Sequence, residues 1–84
     1  MSTTIEYLDV VRVIALLEGH REFIGTEGAC RAPRIGDLAA EVHVLDPGQS
    51  FVAEAVDGEG GYTLWLADFS AEELQLEIKY RASA

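Results

Sequence analysis

The sequence is poor in the residues that build disulfide frameworks and metal centres. It contains one cysteine, Cys30, and two histidines, His20 and His43, and these three are spaced ten or more residues apart. A disulfide needs two cysteines, and zinc sites use closely spaced pairs of ligands. We therefore predict no metal, no cofactor and no catalytic residue. We expect Cys30 to be a small loop residue packed against the domain rather than a nucleophile.

Basic residues are also scarce, with six lysines and arginines against 15 acids and a net charge of −9. The stretch from Ile35 to Ile78 contains no lysine or arginine at all. Proteins bind phosphate backbones and anionic membranes through basic side chains, so neither nucleic acid nor a membrane is an expected partner. No apolar run approaches the roughly 20 residues of a membrane span, and no signal-peptide pattern precedes Ile5. The expected location is the cytoplasm.

A chain of 84 residues, nearly half of them hydrophobic, allows one domain with a modest core. We expect a single domain over residues 5–80, with short flexible termini at 1–4 and 81–84. In Tyr7–Leu17, Val10, Val13, Ile14 and Leu17 fall at helical spacing, whereas Val11, Val13, Ala15 and Leu17 alternate as in a strand. The cluster of β-branched residues favours the strand.

The rest of the chain predicts a long loop followed by four more strands. Glu18–Gly36 is irregular and glycine-rich, with Phe23 and Ile24 as its expected anchors to the core. Ser70 and Glu73 form a capping-box pattern that predicts one helical turn, of the 3₁₀ type, before the last strand. The remaining strands alternate apolar and polar residues and are separated by glycine turns; they are Ala40–Leu45, Phe51–Val56, Tyr62–Ala67 and Leu76–Tyr80. His43 is expected on an outer face beside Glu41.

Two stretches resemble SH3-like barrels of the KOW type. Pro33–Val42 carries a hydrophobic-Gly-Asp sequence and resembles the start of the second strand in those domains. Asp57–Leu74 runs through a glycine turn, a strand and a helical turn, as the end of that fold does. The chain from about Ile5 to Ile78 is thus similar to small, free-standing bacterial SH3-like proteins of uncharacterised function. The resemblance implies an all-β, five-stranded barrel with a long first loop. Ala39 replaces a usual glycine, and the family's nucleic-acid-binding basic residues are absent.

The main functional indication is an acidic surface beside aromatic side chains, which act as rigid anchors in protein interfaces. Tyr62 and Trp65 fall on opposite faces of one predicted strand, so one of them is expected to be exposed. We predict a non-catalytic module that binds a basic protein, in its most specific version an inhibitor of the immunity or antitoxin type. The alternative is an accessory or structural subunit of an enzyme complex. The predicted partner-binding residues are Trp65, Tyr62, Glu54, Asp57, Glu59, Asp68, Glu72 and Glu73.

Overall fold

The computed structural model describes residues 5–79, and over that range the chain is an all-β domain, as predicted. Its strands are β1 (Val10–Val13), β2 (Leu38–Asp46), β3 (Ser50–Val56), β4 (Thr63–Ser70) and β5 (Leu74–Ile78). The predicted helical turn is present as a 3₁₀ turn at Ala71–Glu73. The predicted flexible termini, residues 1–4 and 81–84, and the last predicted strand residue, Tyr80, lie outside the described residues.

The five strands form one antiparallel sheet in the order β4-β3-β2-β1-β5. Both predicted glycine turns join neighbouring strands of this sheet. Gly48, between β2 and β3, has a φ of 76°, and Gly61, between β3 and β4, has a φ of 71°. Glycine adopts positive φ without the steric cost that a Cβ atom brings. These two residues therefore allow the chain to reverse direction tightly.

The N-terminal apolar segment is a strand rather than a helix. β1 pairs with β2 on one side and β5 on the other, and Val11 and Val13 are fully buried. Alternation puts both valines on the same face of the sheet. The β-branched cluster that favoured a strand in the sequence thus becomes part of the core.

The core is built from the inner faces of β1, β3 and β4. In β3 and β4, Phe51 pairs with Phe69, Ala53 with Ala67, and Ala55 with Trp65. Small residues opposite large ones leave room for the indole of Trp65, whose centroid lies 5.2 Å from that of the Phe69 ring. The buried apolar residues are Ile5, Val11, Val13, Ala39, Phe51, Ala53, Ala55, Trp65, Ala67, Phe69 and Leu74.

β2 departs from the simple alternation that its sequence indicates. His43 is exposed, as predicted, but Glu41 is fully buried, so the expectation that Glu41 lies beside it on the outer face was wrong. The register of β2 against β3 shifts between Glu41 and His43. Such a bulge inserts an extra residue and changes which side chains face inward. Val44, beyond the shift, packs against the core.

The long segment between β1 and β2, residues 14–37, is called the connector here. It follows the edge of β4 that β3 leaves unpaired, where Ile24 and Leu66 exchange backbone hydrogen bonds of 3.1 and 2.7 Å. The prediction that Phe23 and Ile24 anchor it to the core was wrong. Both side chains are exposed, Ile24 to 68 %, because the connector is fixed through its backbone rather than through these side chains.

Gly25 permits the closest approach of the connector to β4. A Cβ atom at this position would lie 2.6 Å from the Cβ of Cys30 and 2.8 Å from the carbonyl oxygens of Thr63 and Leu64. No real side chain tolerates such distances. The glycine is therefore needed for the connector to lie against the edge of the sheet.

Candidate protein-binding surface

The outer face of β3 and β4 brings two acidic and two apolar side chains together. Glu54 pairs with Leu66, and Val52 pairs with Asp68. Because the neighbouring residues Ala53 and Ala67 are buried, these four lie on the opposite, outer side of the sheet. Directly opposed residues have Cβ atoms about 5 Å apart. Val52, Glu54, Leu66 and Asp68 are referred to below as the acidic face.

The connector extends the acidic face beyond the edge of β4. A cavity of about 890 Å³ lies between the connector and β4 and is lined by Glu18, Glu22 and Ile24 from one side and by Leu66 and Asp68 from the other. This connector cavity adds two carboxylates and an exposed isoleucine to the surface. The result is a continuous patch in which acidic groups surround apolar ones.

The partner-binding residues predicted from the sequence fall into separate groups. Glu54 and Asp68 lie on the acidic face, whereas Asp57, Glu59 and Tyr62 lie where the chain turns between β3 and β4. Tyr62 is 52 % exposed and is the exposed member of the aromatic pair. Glu72 is exposed in the 3₁₀ turn, at the opposite end of β4. Because β4 spans eight residues, Glu72 is about 25 Å from the turn that carries Asp57, Glu59 and Tyr62.

Trp65 and Glu73 were wrongly predicted to contact a partner. The side chain of Trp65 is fully buried, and that of Glu73 is 2 % exposed. Each is held by a polar contact inside the domain: Trp65 Nε1 donates to Asp37, and Glu73 accepts from Arg21. These two residues stabilise the fold beneath the surface and are not available to a ligand.

Glu73 is the centre of a buried polar network that ties the connector to the 3₁₀ turn. Its carboxylate accepts hydrogen bonds from Arg21 Nη2 (2.5 Å), the Leu17 backbone N–H (2.8 Å) and the Ser70 backbone N–H (2.9 Å). The Ser70 bond confirms the predicted capping contact. Burial favours the neutral acid, but the bonds from Arg21, Ser70 and Leu17 outweigh it and lower the pKa of Glu73.

Asp37 forms a second clamp at the end of the connector. Its carboxylate accepts two bonds from Arg31, at 2.8 and 3.0 Å, one from Trp65 Nε1 at 2.8 Å and one from the Arg34 backbone N–H at 2.9 Å. Burial alone would raise the pKa of Asp37, but these donors outweigh it and lower the pKa. The Gly-Asp pair of the sequence therefore has a structural role in this chain.

Two further acids, Asp9 directly before β1 and Glu41 within β2, are buried, and sequence reasoning missed the burial of both. Asp9 accepts from the Glu6 backbone N–H (2.7 Å) and lies 2.8 Å from Lys79 Nζ. Glu41 accepts from the His43 backbone N–H (2.7 Å), while its Oε2 has no hydrogen-bond partner among residues 5–79. Burial raises the pKa of Glu41 despite that bond, and the nearby Asp9 charge adds to the rise.

Residues 5–79 contain neither a cluster of metal-ligating side chains nor a membrane-spanning helix. Nowhere in residues 5–79 do three or more histidine, cysteine or acidic side chains gather as metal ligands would. Cys30 is exposed in the connector as a free thiol, so the expectation that it packs against the domain was wrong. Over the same range, no helix has the length and apolar character needed to cross a bilayer.

Comparison with known proteins gives no relative from which a role could be transferred. No protein-family model, no curated protein and no solved structure matches the chain. The function must be inferred from this chain's own residues.

Proposed function

We propose that the protein is a non-catalytic module that binds a basic protein partner through the acidic face. The observation that carries the proposal is the pairing of Glu54 with Leu66 and of Asp68 with Val52 on the outer side of β3 and β4. Val52 and Leu66 are half-buried, and carboxylates beside such partly accessible apolar side chains match a surface on which lysines and arginines surround apolar residues.

The distribution of charge supports a basic partner. Around the acidic face, the connector adds Glu18 and Glu22, and the sequence of β3 and β4 contains no lysine or arginine. Surfaces of one sign raise the local concentration of oppositely charged partners and speed their association. A net charge of −9 extends this attraction over the whole domain.

Binding rather than catalysis is supported by the way the perturbed carboxylates are used. Asp37 and Glu73 have lowered pKa values because each accepts several hydrogen bonds from the protein itself. Perturbed acids mark active sites when they face a ligand, but they also arise in structural ion-pair networks. In this domain both acids hold the connector in place.

We also propose that the sheet closes into an SH3-like barrel. The strand order β4-β3-β2-β1-β5 and the 3₁₀ turn before the last strand support it. Closure would bring the two edge strands, β4 and β5, together. They are joined directly in sequence by the three-residue 3₁₀ turn Ala71–Glu73, which keeps the end of β4 close to the start of β5. In such a barrel, the connector and the outer face of β3–β4 form one accessible surface.

The proposal is tested by capture from a lysate of the source organism with two charge-reversed variants. Asp68→Lys alters the acidic face, and Asp46→Lys makes the same change in net charge at the exposed last residue of β2. The wild type and Asp46→Lys are expected to retain a basic protein that Asp68→Lys does not. Capture of an acidic partner, or equal capture by both variants, would refute the proposal.

Salt dependence gives a second measurement on the captured partner. An electrostatically steered complex is expected to associate much more slowly when salt rises from about 0.05 M to 0.5 M, because the Debye length falls from roughly 14 Å to 4 Å. A steep loss of association rate, with a smaller change in dissociation rate, supports an inhibitor that finds its target in solution. A rate independent of salt contradicts steering by the acidic face.

A further inference from the structure

The connector cavity combines charge and apolar surface in a way that the acidic face alone does not. Glu18 and Glu22 contribute carboxylates from the connector, and Asp68 contributes one from β4. Phe23, Ile24 and Leu66 contribute apolar surface to the same cavity. A lysine or arginine side chain has the matching character, because its aliphatic stem packs on apolar groups while its charged end stays near acids and water.

Arg21 also lines the cavity, but its positive charge is already neutralised. Its side chain is only 7 % exposed, and its Nη2 is 2.5 Å from the Glu73 carboxylate. The guanidinium also lies over the ring of Phe69, 4.4 Å from the centroid. Held from two sides, Arg21 is fixed in position, and the three carboxylates of the cavity leave it with a net negative charge.

Arg21 nevertheless has hydrogen-bonding capacity that the protein does not use. Its Nε and Nη1 are buried and have no acceptor in the part of the chain that the structure describes. A second acid, Glu18, is 3.8 Å from Nε, beyond hydrogen-bond distance, and its side chain is largely exposed. Arg21 lines the cavity, so an acceptor that enters the cavity would bond to Nε and Nη1 once it displaces the groups that bury them.

The charge of the cavity decides which acceptor suits these donors. A carboxylate or phosphate would meet repulsion from Glu18, Glu22 and Asp68, whereas a peptide carbonyl carries no net charge. A free amine or a metal ion would satisfy the acids but would bring no acceptor for Arg21. A polypeptide with a basic side chain supplies both groups.

We propose that the connector cavity binds one lysine or arginine side chain of an extended partner segment. In this arrangement the basic group lies among the three carboxylates, and a neighbouring peptide carbonyl accepts hydrogen bonds from Arg21. The inference rests on the proposed function and deepens it, because it names the element of the basic partner that is recognised.

The test uses NMR titration of the ¹⁵N-labelled full chain with the blocked pentapeptide acetyl-Ala-Ala-Lys-Ala-Ala-amide. We expect saturable shifts of the backbone signals of Ile24, Leu66 and Asp68, together with a shift of the Arg21 Nε–H signal. Replacing the lysine of the peptide by norleucine removes the ammonium group but keeps the aliphatic stem, and it is expected to weaken binding up to about fivefold. Butylammonium, which has no carbonyl, is expected to leave the Arg21 signal unchanged.

Matched variants place the binding in the cavity. Asp68→Asn is expected to bind the lysine peptide more weakly, whereas Asp46→Asn, at the exposed end of β2 and outside the cavity, is expected to bind it as the wild type does. The inference is overturned if the shifts spread over the whole acidic surface, if the norleucine peptide binds equally well, or if the Arg21 signal does not move. If the peptide does not bind but a basic protein is captured in an Asp68-dependent way, this inference is refuted and the proposed function is supported. If the peptide does not bind and no basic protein is captured, both the inference and the proposed function are refuted.

Discussion

Replacing Asp37 with alanine is expected to remove the clamp that joins the connector to the core. Four hydrogen bonds end on this carboxylate: two from Arg31, one from Trp65 Nε1 and one from the Arg34 backbone N–H. The substitution removes both carboxylate oxygens, and with them all four hydrogen bonds, and adds no new group. The resulting loss in the free energy of unfolding depends on how accessible each donor is to water.

The largest cost comes from Trp65, whose side chain is fully buried. Leaving its indole N–H without an acceptor costs about 1–3 kcal/mol. The ion pair with Arg31 is partly exposed and contributes up to about 1 kcal/mol. Arg34 is exposed, so water replaces its bond at little cost. The expected loss is about 3 kcal/mol, a large share of the roughly 4–13 kcal/mol that a domain of 84 residues has.

Urea denaturation followed by the fluorescence of the single tryptophan measures this loss. Arg31→Ala is the comparison, because it removes the ion pair but leaves the bond to Trp65, and it should cost about 1 kcal/mol or less. Asp37 has a lowered pKa when folded. The contribution of Asp37 to stability is therefore present above its unfolded-state pKa of about 3.9 and is lost as the pH falls through its folded-state pKa. If Asp37→Ala costs no more than Arg31→Ala, the buried indole bond does not contribute as argued.

Three further predictions concern other parts of the fold and are measured by the same denaturation assay. The pKa of Glu41 is raised in the folded state, so the free energy of unfolding of the wild type falls as the pH rises from the unfolded-state pKa to the folded-state pKa. The stability of Glu41→Gln relative to the wild type should therefore increase over that interval, and a difference independent of pH would contradict this. Gly25→Ala should cost about 1–3 kcal/mol through overlap with β4, whereas Gly19→Ala, whose Cβ meets open space, should be neutral or slightly stabilising. Arg21→Ala should cost about 3–5 kcal/mol because it leaves Glu73 charged and buried without its partner; a loss below 1 kcal/mol would show that water can replace Arg21.

The strands could be predicted from the sequence because burying one face of a sheet imposes a two-residue period. Val11 and Val13 in β1, and Trp65 and Ala67 in β4, follow that period, and all four are buried. The same reasoning failed at Glu41, where a register shift between β2 and β3 changes the inward-facing residues. A bulge depends on the partner strand, which the sequence of β2 alone does not contain.

The candidate site was only partly predictable, because charges can be counted in a sequence but not placed. The pairing of Glu54 with Leu66 follows from the register of β3 and β4. The contact between Arg21 and Glu73 joins positions 52 residues apart. One signal was present: three of the six basic residues lie in the connector. In an acidic chain, such a cluster indicates that the bases pair with buried acids, as Arg21 and Arg31 do.

The buried acids change how the net charge of −9 is understood. Asp9, Glu41 and Glu73 are buried, and Asp37 is occupied by its four hydrogen bonds. These acids contribute to the long-range field but cannot touch a partner. The acids that can do so are exposed ones, such as Asp68, beside apolar groups of the sheet and the connector. The proposed recognition therefore depends on where the exposed acids lie, because net charge alone would make Asp68→Lys and Asp46→Lys equivalent.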